Sequence, residues 1–320
     1  MQPLMPLLRG VSRSFYLTLS ILTEELRPGI CAAYLLARAS DTVADTQVVP
    51  REKRLSLLRE MRQGRTGSVR ELAQGQALPA ERELLERLDE CTRLKDSFPA
   101  PDRALIDTLL DTIVAGQIFD LERFSGGLQA LCDDAELDRY TYMVAGCVGE
   151  FWTRMCVLHL PELRSWDAQA MCRLGVRFGK GLQLVNVLRD MPRDLRIGRC
   201  YLPVRDPERL LDPASFESIR GRYSAWLDAA AGHLQAGWEY TMAYPPSLWR
   251  LRLACAWPIL LGLKTIARLR SGNTLDPSHV IMVPQWETNL MLLRSVLACR
   301  LDGLFTRQFE AALTRSAAPR

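Results

Sequence analysis

Two pairs of aspartates with the same four-residue spacing are the residues of this chain best suited to chemistry. Asp41 and Asp45 lie in ARASDTVADT, and Asp190 and Asp194 lie in NVLRDMPRD. Residues four apart on a helix project from one face, so each pair would direct two carboxylates to the same region. Such like charges repel unless a cation bridges them, and Mg²⁺ is a hard ion that prefers carboxylate, water and phosphate oxygens. The spacing therefore predicts two magnesium-binding stripes that face each other across a cavity and hold a diphosphate.

The first pair belongs to a longer polar stripe. Tyr34, Arg38, Asp41 and Asp45 follow one another at intervals of four, three and four residues, while the residues between them are mostly apolar. This spacing places the four side chains on one face of a helix. By itself the stripe is more typical of a solvated surface on which Arg38 pairs with Asp41.

The second pair lies in a more unusual setting. Gln183, Asn186, Asp190 and Asp194 form a polar stripe within an otherwise apolar segment, and buried amides and carboxylates need partners. Pro192 predicts that the helix bends or ends near Asp190, because proline has no N–H and clashes with the preceding turn. The alternative is an aspartate that caps a new helix opening at Met-Pro. The two stripes together favour metal binding.

Two further segments could contact a substrate. The sequence VSRSFY, from Val11 to Tyr16, combines hydroxyl groups and a guanidinium with an aromatic ring, and such a group can bind phosphate oxygens. A capped helix start is the alternative there. In YTYMVAGCVG, which begins at Tyr140, the small residues Ala145, Gly146 and Gly149 allow either a close helix contact or room for a bulky ligand.

Helical periodicity extends along almost the whole chain. Leu105, Leu109 and Ile113 are typical of it, and Gly, Pro and Ser clusters separate the helical stretches. Alternating segments of the kind that form strands and hairpins are hard to find. We therefore predict an all-α fold, with a single helical domain spanning residues 1–320, because both halves are needed for one site.

Composition narrows the class of protein. The chain has 320 residues, 48% of them hydrophobic, and its 41 basic and 37 acidic residues nearly balance, so nothing favours nucleic-acid binding. Nine cysteines without CxxC spacing predict reduced, mostly buried thiols, and three separated histidines predict structural roles. We find no targeting signal and no apolar run of about 20 residues. A cytoplasmic enzyme is expected, with peripheral membrane contact left open.

Four sequence blocks resemble a known family. SRSF, YLLARASDTVAD, YTYMVAGCVG and QLVNVLRDMPRDLRIGRCYLP occur in this order, and they resemble the squalene and phytoene synthases, which join prenyl diphosphates head to head. The resemblance implies an all-α isoprenoid synthase fold with helices around a central cavity. It also implies two prenyl diphosphates held through Mg²⁺, and two half-reactions in which a cyclopropylcarbinyl diphosphate forms and then rearranges.

The same resemblance implies a role for each matching residue. The Mg²⁺ ligands would be Asp41, Asp45, Asp190 and Asp194, with the second cluster supported by Gln183 and Asn186. The diphosphate oxygens would be bound by Ser12, Arg13, Ser14, Arg38 and Arg189. The reacting carbons would be bordered by Tyr34 and Phe15, and Tyr140 would steer proton loss. Aromatic faces and a dry chamber suit a carbocation.

The resemblance leaves the product open. Squalene synthases reduce the intermediate with NADPH, whereas phytoene and dehydrosqualene synthases lose a proton. The form ARASDTVADT resembles the bacterial squalene type, so two farnesyl diphosphates giving squalene is the first expectation, with phytoene from geranylgeranyl diphosphate as the alternative. A catalytically silent assembly partner is a different class, and the intact aspartate quartet argues against it.

One stretch near the C-terminus departs from the family pattern. Residues 275–286 follow the order LDPSHVIMVPQW and contain no Lys or Arg, although reductive members often carry a basic loop there. The departure weakens the expectation of NADPH. An apolar loop could instead line an exit toward a membrane for a hydrocarbon product. On this hypothesis Trp286→Ala and Met282→Ala reduce binding to liposomes, and unchanged binding would count against it.

Overall fold

Helices dominate the computed structural model, which describes residues 4–12, 15–276, 278 and 281–317, with the backbone alone for Phe15. The prediction of an all-α fold is confirmed. The chain forms two compact units, Met1–Arg123 with Phe151–Arg164 and Phe124–Glu150 with Ser165–Arg320, called here the first and second units. A single domain over residues 1–320 remains a prediction.

The first unit is built around one helix, α3. The helices of this unit are α1 (Met5–Ser12), α2 (Phe15–Ser20), α3 (Arg27–Asp45), α4 (Arg51–Arg62), α5 (Pro79–Glu86), α6 (Leu88–Asp96) and α7 (Ala100–Arg123), with 3₁₀ segments at Gly67–Gly75 and Pro161–Leu163. Helices α4, α6 and α7 pack on α3. Its apolar residues, among them Leu35, Leu36 and Val43, are buried. Burial of these side chains leaves the polar stripe as the less covered face of α3.

The second unit is built around the longest helix, α10. Its helices are α8 (Asp134–Thr141), α10 (Ala168–Arg196), α11 (Phe216–Ala243), α12 (Trp249–Arg270), α13 (Gln285–Ala298) and α14 (Asp302–Ala317), with a π-helical turn at Tyr142–Gly146 and 3₁₀ segments at Pro207–Leu211, Pro213–Ser215 and Pro246–Leu248. Helix α9 (Cys147–His159) begins in this unit and continues in the first. Helix α11 packs between α10 and α12, and α12 also packs on α14. The ring of Trp238 stacks on Phe309 with centroids 4.6 Å apart.

One short piece of sheet was not expected from the sequence. Strands β1 (Gln129–Ala130) and β2 (Arg199–Cys200) pair in parallel. Gly198 makes the turn into β2 with a φ of +85°, and a Cβ on it would lie 2.9 Å from the carbonyl oxygen of Gly127. Glycine is required there because side chains disfavour this backbone conformation. Two-residue strands carry no alternating pattern, which is why the periodicity missed them.

Most of the cysteines are buried, as predicted, and the structural role of the histidines stays a prediction. Seven of the nine cysteines are buried, and burial raises the pKa of the Cys31 thiol to about 12. The Nε2 atom of His159 lies 2.6 Å from Asp102 Oδ1, and burial lowers the pKa of His233. His279 lies outside the described residues. Within the described part of the chain, no helix is both long and apolar enough to cross a bilayer.

Candidate active site

Helix α3 presents the first predicted stripe on one face. Tyr34, Arg38 and Asp41 are half-buried and Asp45, the last residue of the helix, is exposed. Most of the residues between them are buried in the core of the first unit. The spacing therefore predicted the shared face correctly.

Arg38 has a partner that the sequence did not indicate. Its Nη2 atom donates to Oε1 of Glu81 on α5, and its buried Nε has no hydrogen-bond partner in the structure. The alternative in which Arg38 pairs with Asp41 is wrong. Glu81 lies 43 residues away along the chain, so no local spacing could have identified it.

Asp41 is held by a buried glutamine. Nε2 of Gln117 on α7 donates to Asp41 Oδ1 at 2.5 Å, and the buried Oε1 of Gln117 has no hydrogen-bond partner. Asp120, one turn further along α7, is also buried. Sequence reasoning missed both residues, although polar side chains within the apolar run IVAGQIFDL gave the same signal that identified Gln183 and Asn186. The unsatisfied Oε1 is an acceptor next to the carboxylate.

The electrostatics of Asp41 fit a cation at this position. Burial, and then the nearby charge of Asp45, raise the pKa of Asp41 to about 6, against the opposing effects of Arg38 and Gln117. Asp45 adds a negative charge at the C-terminal end of α3, where the helix dipole disfavours it. A divalent cation would relieve both effects, so the donor set suits Mg²⁺.

The raised pKa of Asp41 predicts a stability effect. A carboxyl that holds its proton more tightly in the folded state stabilises the fold below its unfolded pKa, near 3.8, and that contribution is lost as pH rises through about 6. Ionised Asp41 would cost up to about 3 kcal/mol at pH 7 without metal. We expect Asp41→Asn to raise the free energy of unfolding by about 1–2 kcal/mol at pH 7 and to have little effect at pH 4, as measured by urea denaturation.

The same denaturation experiment with and without Mg²⁺ provides a further comparison for this prediction. Added Mg²⁺ should stabilise the unmodified chain but not Asp41→Asn, because the ligand charge is gone. The matched control is Glu86→Gln, which removes an exposed carboxylate from the last residue of α5. A destabilised Asp41→Asn protein at pH 7 would contradict the assignment.

Helix α10 presents the second stripe. Gln183, Asn186, Asp190 and Asp194 are all half-buried and share one face, while the apolar residues around them are buried. Pro192 lies inside the helix, which continues to Arg196. An end of the helix near Asp190 and a new helix start at Met-Pro are therefore both wrong, and a bend near Asp190 stays a prediction.

Arg189 and Asp190 pair with each other. The Arg189 Nε and Nη2 atoms donate to the two carboxylate oxygens of Asp190 at 2.7 and 2.6 Å. This bond, together with the charges of Asp190 and Asp194, raises the pKa of Arg189 against the effect of burial. A cation on Asp190 would compete for the same oxygens. The guanidinium would then be available to a phosphate oxygen.

A tyrosine on α11 replaces the hydrogen bond that Pro192 removes. Residue 192 has no N–H to donate to the carbonyl of Leu188, four residues earlier. The buried hydroxyl of Tyr223 donates to that Leu188 oxygen at 2.9 Å and lies 2.9 Å from Thr274 Oγ1. Because of this contact, the helix carries Asp190 and Asp194 past a proline without an orphaned carbonyl.

The Tyr223 contact gives a second prediction. Tyr223→Phe leaves the Leu188 carbonyl and the Thr274 hydroxyl unpaired, and we expect it to lower the free energy of unfolding by about 1–3 kcal/mol. Pro192→Ala restores an N–H at residue 192, so the cost should shrink by about 1 kcal/mol in the double variant. Urea denaturation of the four proteins in the cycle measures this coupling. An equal cost of Tyr223→Phe in both backgrounds would contradict the proposed replacement.

The glycine-rich block makes a close backbone contact with α10. A Cβ on Gly149 would lie 1.9 Å from the carbonyl oxygen of Gly175, and one on Gly179 would lie 2.1 Å from that of Ala145. Close packing therefore accounts for the small residue at position 149. The block opens with the π-helical turn Tyr142–Gly146, and such turns are frequent near functional sites.

Tyr140 is buried in an aromatic group just before that turn. Its ring stacks on Tyr201 with centroids 4.6 Å apart, and Tyr201 meets Phe124 edge to face at 5.2 Å. Tyr201 follows β2 and was not among the predicted site residues. The stacking fixes the plane of the Tyr140 ring.

The remaining predicted residues lie at the N-terminus. Ser12 is buried at the end of α1, where its hydroxyl donates to the Leu8 carbonyl at 2.5 Å. Arg13, Ser14 and the side chain of Phe15 lie outside the described residues. Among the residues that the structure describes, no three His, Cys, Asp or Glu side chains converge as a metal site.

Comparison with known proteins decides the family. The family model described as squalene/phytoene synthase matches residues 8–287. The chain belongs to the squalene/phytoene synthase family. The prediction from the sequence blocks is confirmed, and membership makes a prenyltransferase the expected class of enzyme.

Similar curated proteins carry different product names. A squalene synthase from Eremothecium gossypii is 30% identical and covers 90% of this chain and 66% of its own length. A presqualene diphosphate synthase from Rhodopseudomonas palustris is 30% identical over 61% of this chain and 59% of its own. A bifunctional lycopene cyclase/phytoene synthase from Neurospora crassa is 29% identical over 61% and 34%. The chain thus spans between about a third and two thirds of the length of these relatives.

Solved structures share the fold. The complex of TcSQS with the ligand BPH1237 has a TM-score of 0.75 at 22% identity, over 98% of this chain and 96% of that one. A dehydrosqualene synthase complex has a TM-score of 0.61 at 18% identity, over 92% and 94%. At these sequence identities the likeness shows that this chain shares the fold of those proteins, and it does not extend to their activities.

Proposed function

We propose that this chain joins two prenyl diphosphates head to head, and that two farnesyl diphosphates giving squalene is its reaction. The observation that carries the proposal is the pair of aspartate stripes, each on the half-buried polar face of a long helix. Two carboxylates four residues apart on each helix are an arrangement that a bridging cation stabilises, and in α3 they come with the raised pKa of Asp41. Similar proteins named squalene synthase and presqualene diphosphate synthase support the reaction class.

The aspartate pairs would hold Mg²⁺ ions. In the first unit the ligands would be Asp41 and Asp45, and in the second Asp190 and Asp194. Bound Mg²⁺ supplies positive charge that stabilises diphosphate as it leaves. Gln117 keeps the Asp41 carboxylate in place through its Nε2 atom. The hydrogen bond from Tyr223 to the Leu188 carbonyl supports the helical segment that carries the second pair.

Other residues of the chain would bind and orient the substrates. Arg189 would donate to diphosphate oxygens after it leaves Asp190, and Gln183 and Asn186 on the same face of α10 would assist it. Arg38 would do so through the Nε that has no partner, while Glu81 holds its Nη2. Tyr140 and Tyr34 would border the reacting carbons. For Tyr140, stacking on Tyr201 fixes the ring before substrate binds.

NADPH reduction is the finer part of the proposal. The described residues 281–286 carry no cation, and Lys264 and Arg268 of α12, which lie close to this loop, both donate to Glu287. Arg268 also donates to the carbonyl of Met282 at 3.2 Å. We therefore assign no residue to NADPH. Loss of a proton instead of reduction would give dehydrosqualene, or phytoene from the longer substrate.

Product analysis tests the proposal. Purified chain is incubated with Mg²⁺ and either farnesyl or geranylgeranyl diphosphate, each with and without NADPH, and diphosphate release and lipid products are measured. We expect squalene from farnesyl diphosphate in the presence of NADPH. Dehydrosqualene regardless of NADPH, accumulated presqualene diphosphate, or phytoene would each replace the product while keeping the reaction class. No release of diphosphate from either substrate would favour a silent assembly partner.

A further inference from the structure

Helix α13 is apolar on two opposite faces. Met291, Ser295 and Ala298 are buried against the rest of the second unit. On the other side lies an exposed row, called here the apolar stripe, which consists of Trp286, Leu290, Leu293 and Leu297. These residues follow intervals of four, three and four, so they share one face. Trp286 is 68%, Leu293 58% and Leu297 72% exposed.

The exposed apolar surface continues beyond α13. Met282 before the helix and Leu301 and Leu304 after it are also more than half exposed. Single exposed apolar residues are ordinary, but a continuous series of large ones marks a surface that contacts another apolar phase. Most of this surface follows residue 287, where the match to the family model ends.

A cationic cavity adjoins the apolar stripe. It has a volume of about 710 Å³ between α12, α13 and α14, and Trp286 and Leu290 are part of its wall. Its cations are Lys264, Arg268, Arg294 and Arg315, against the single carboxylate of Glu287. Ser271, Gln308 and several apolar side chains complete the wall. The cavity is thus suited to a charged group attached to an apolar one.

The charges in the cavity do not balance. Glu287 accepts from Lys264 at 2.5 Å and from Arg268 at 2.6 Å. Burial raises the pKa of Glu287, but these two hydrogen bonds outweigh it and the pKa is lowered. Arg315 donates to a backbone carbonyl of its own helix, and among the described residues Arg294 and Arg315 have no carboxylate partner. Two cations therefore remain to attract an anion.

We propose that the apolar stripe and the cationic cavity bind the surface of a membrane that contains anionic phospholipid. Trp286 and the three leucines would enter the boundary between headgroups and acyl chains, where tryptophan is favoured. Arg294 and Arg315 would bind lipid phosphates at the edge of the cavity. A second copy of the chain fits less well, because a two-fold interface would place this cationic group close to its own equivalent.

Sedimentation with vesicles tests the proposal without substrate, so its outcome does not depend on the proposed reaction. The full chain is mixed with vesicles of phosphatidylcholine, or of phosphatidylcholine and phosphatidylglycerol in equal parts. We expect binding to the mixed vesicles that weakens with added salt. Leu293→Gln with Leu297→Gln should lower the affinity at least about tenfold. Arg294→Glu should lower the affinity for the mixed vesicles about tenfold and leave the affinity for pure phosphatidylcholine vesicles unchanged.

Matched controls lie on another element of the same unit. Leu211→Gln and Arg209→Glu change an exposed leucine and an exposed arginine of the 3₁₀ segment Pro207–Leu211, and they should bind like the unmodified chain. Circular dichroism checks that each variant keeps its helix content. Equal binding of the Leu293/Leu297 variant and its control would overturn the proposal, as would no binding to either vesicle. A dimer in light scattering that this variant dissociates would instead identify a second copy as the occupant.

Discussion

Asp45→Asn and Asp190→Asn are each expected to lower the rate of diphosphate release by about a thousandfold or more at fixed Mg²⁺. Each change keeps the shape of the side chain but removes one of the two carboxylate charges that we propose hold a cation in its unit. The Asp190→Asn variant would also lose the charged pairing that Asp190 makes with Arg189. The measurement is release of diphosphate from farnesyl diphosphate, with helix content followed by circular dichroism.

The controls for this experiment remove carboxylates that have another role. Asp111→Asn breaks an exposed pair with Arg62 in the first unit, and Glu217→Gln breaks one with Arg220 in the second. Both should retain most of the activity, because exposed pairs contribute little. In the site variants a higher Mg²⁺ concentration should recover part of the rate. Full activity of either site variant at low Mg²⁺ would contradict the assignment of these aspartates as Mg²⁺ ligands.

Alanine at Gly149 or Gly179 is expected to lower the free energy of unfolding by at least about 3 kcal/mol. In each case the new Cβ would lie about 2 Å from a backbone carbonyl oxygen, of Gly175 or of Ala145. Neither neighbour is the end of a flexible side chain, so the glycine-rich block and α10 must separate. That contact positions the segment that follows Tyr140. A variant that still folds should therefore also lose activity. Urea denaturation measures the stability.

The control reverses the sign of the effect. Gly221 lies in α11, and no atom lies within 4 Å of the position that a Cβ on it would take. Gly221→Ala should therefore stabilise the chain by about 0.5–1 kcal/mol, because alanine is the better helix former. Alanine also favours the helix over glycine in α9 and α10. A loss of stability at Gly149 or Gly179 would therefore come from the steric clash of the new Cβ. Equal effects at all three positions would contradict the close contact.

The two polar stripes could be predicted because they are local. Each consists of four residues within a dozen positions on one helix, and helical spacing alone puts them on one face. The structure places Tyr34, Arg38, Asp41 and Asp45 on α3 as expected, and Gln183, Asn186, Asp190 and Asp194 on α10. The error at Pro192 is local too. Proline removes one hydrogen bond, but whether the helix ends depends on whether another donor reaches the freed carbonyl.

That donor comes from a distant part of the chain, and so do the other partners of the site. Tyr223 reaches Leu188 from 35 residues away, Gln117 reaches Asp41 from 76, and Glu81 reaches Arg38 from 43. No spacing rule connects residues on different helices, because their distance depends on how the helices pack. The stacking of Tyr140 on Tyr201 is likewise a contact between distant parts of the chain that no spacing rule predicts.

The sequence by itself determined the helical architecture, the family and the positions of the four aspartates, since all three depend on short-range periodicity and ordered motifs. Tertiary structure alone decided what those aspartates experience. Burial raises the pKa of Asp41, Gln117 donates to Asp41 from another helix, and Tyr223 allows α10 to continue past Pro192. It also decided that α13 leaves an apolar row exposed beside two arginines that have no carboxylate partner among the described residues. Exposure is a property of packing, and a helix that is apolar on both faces does not reveal in its sequence which face is covered.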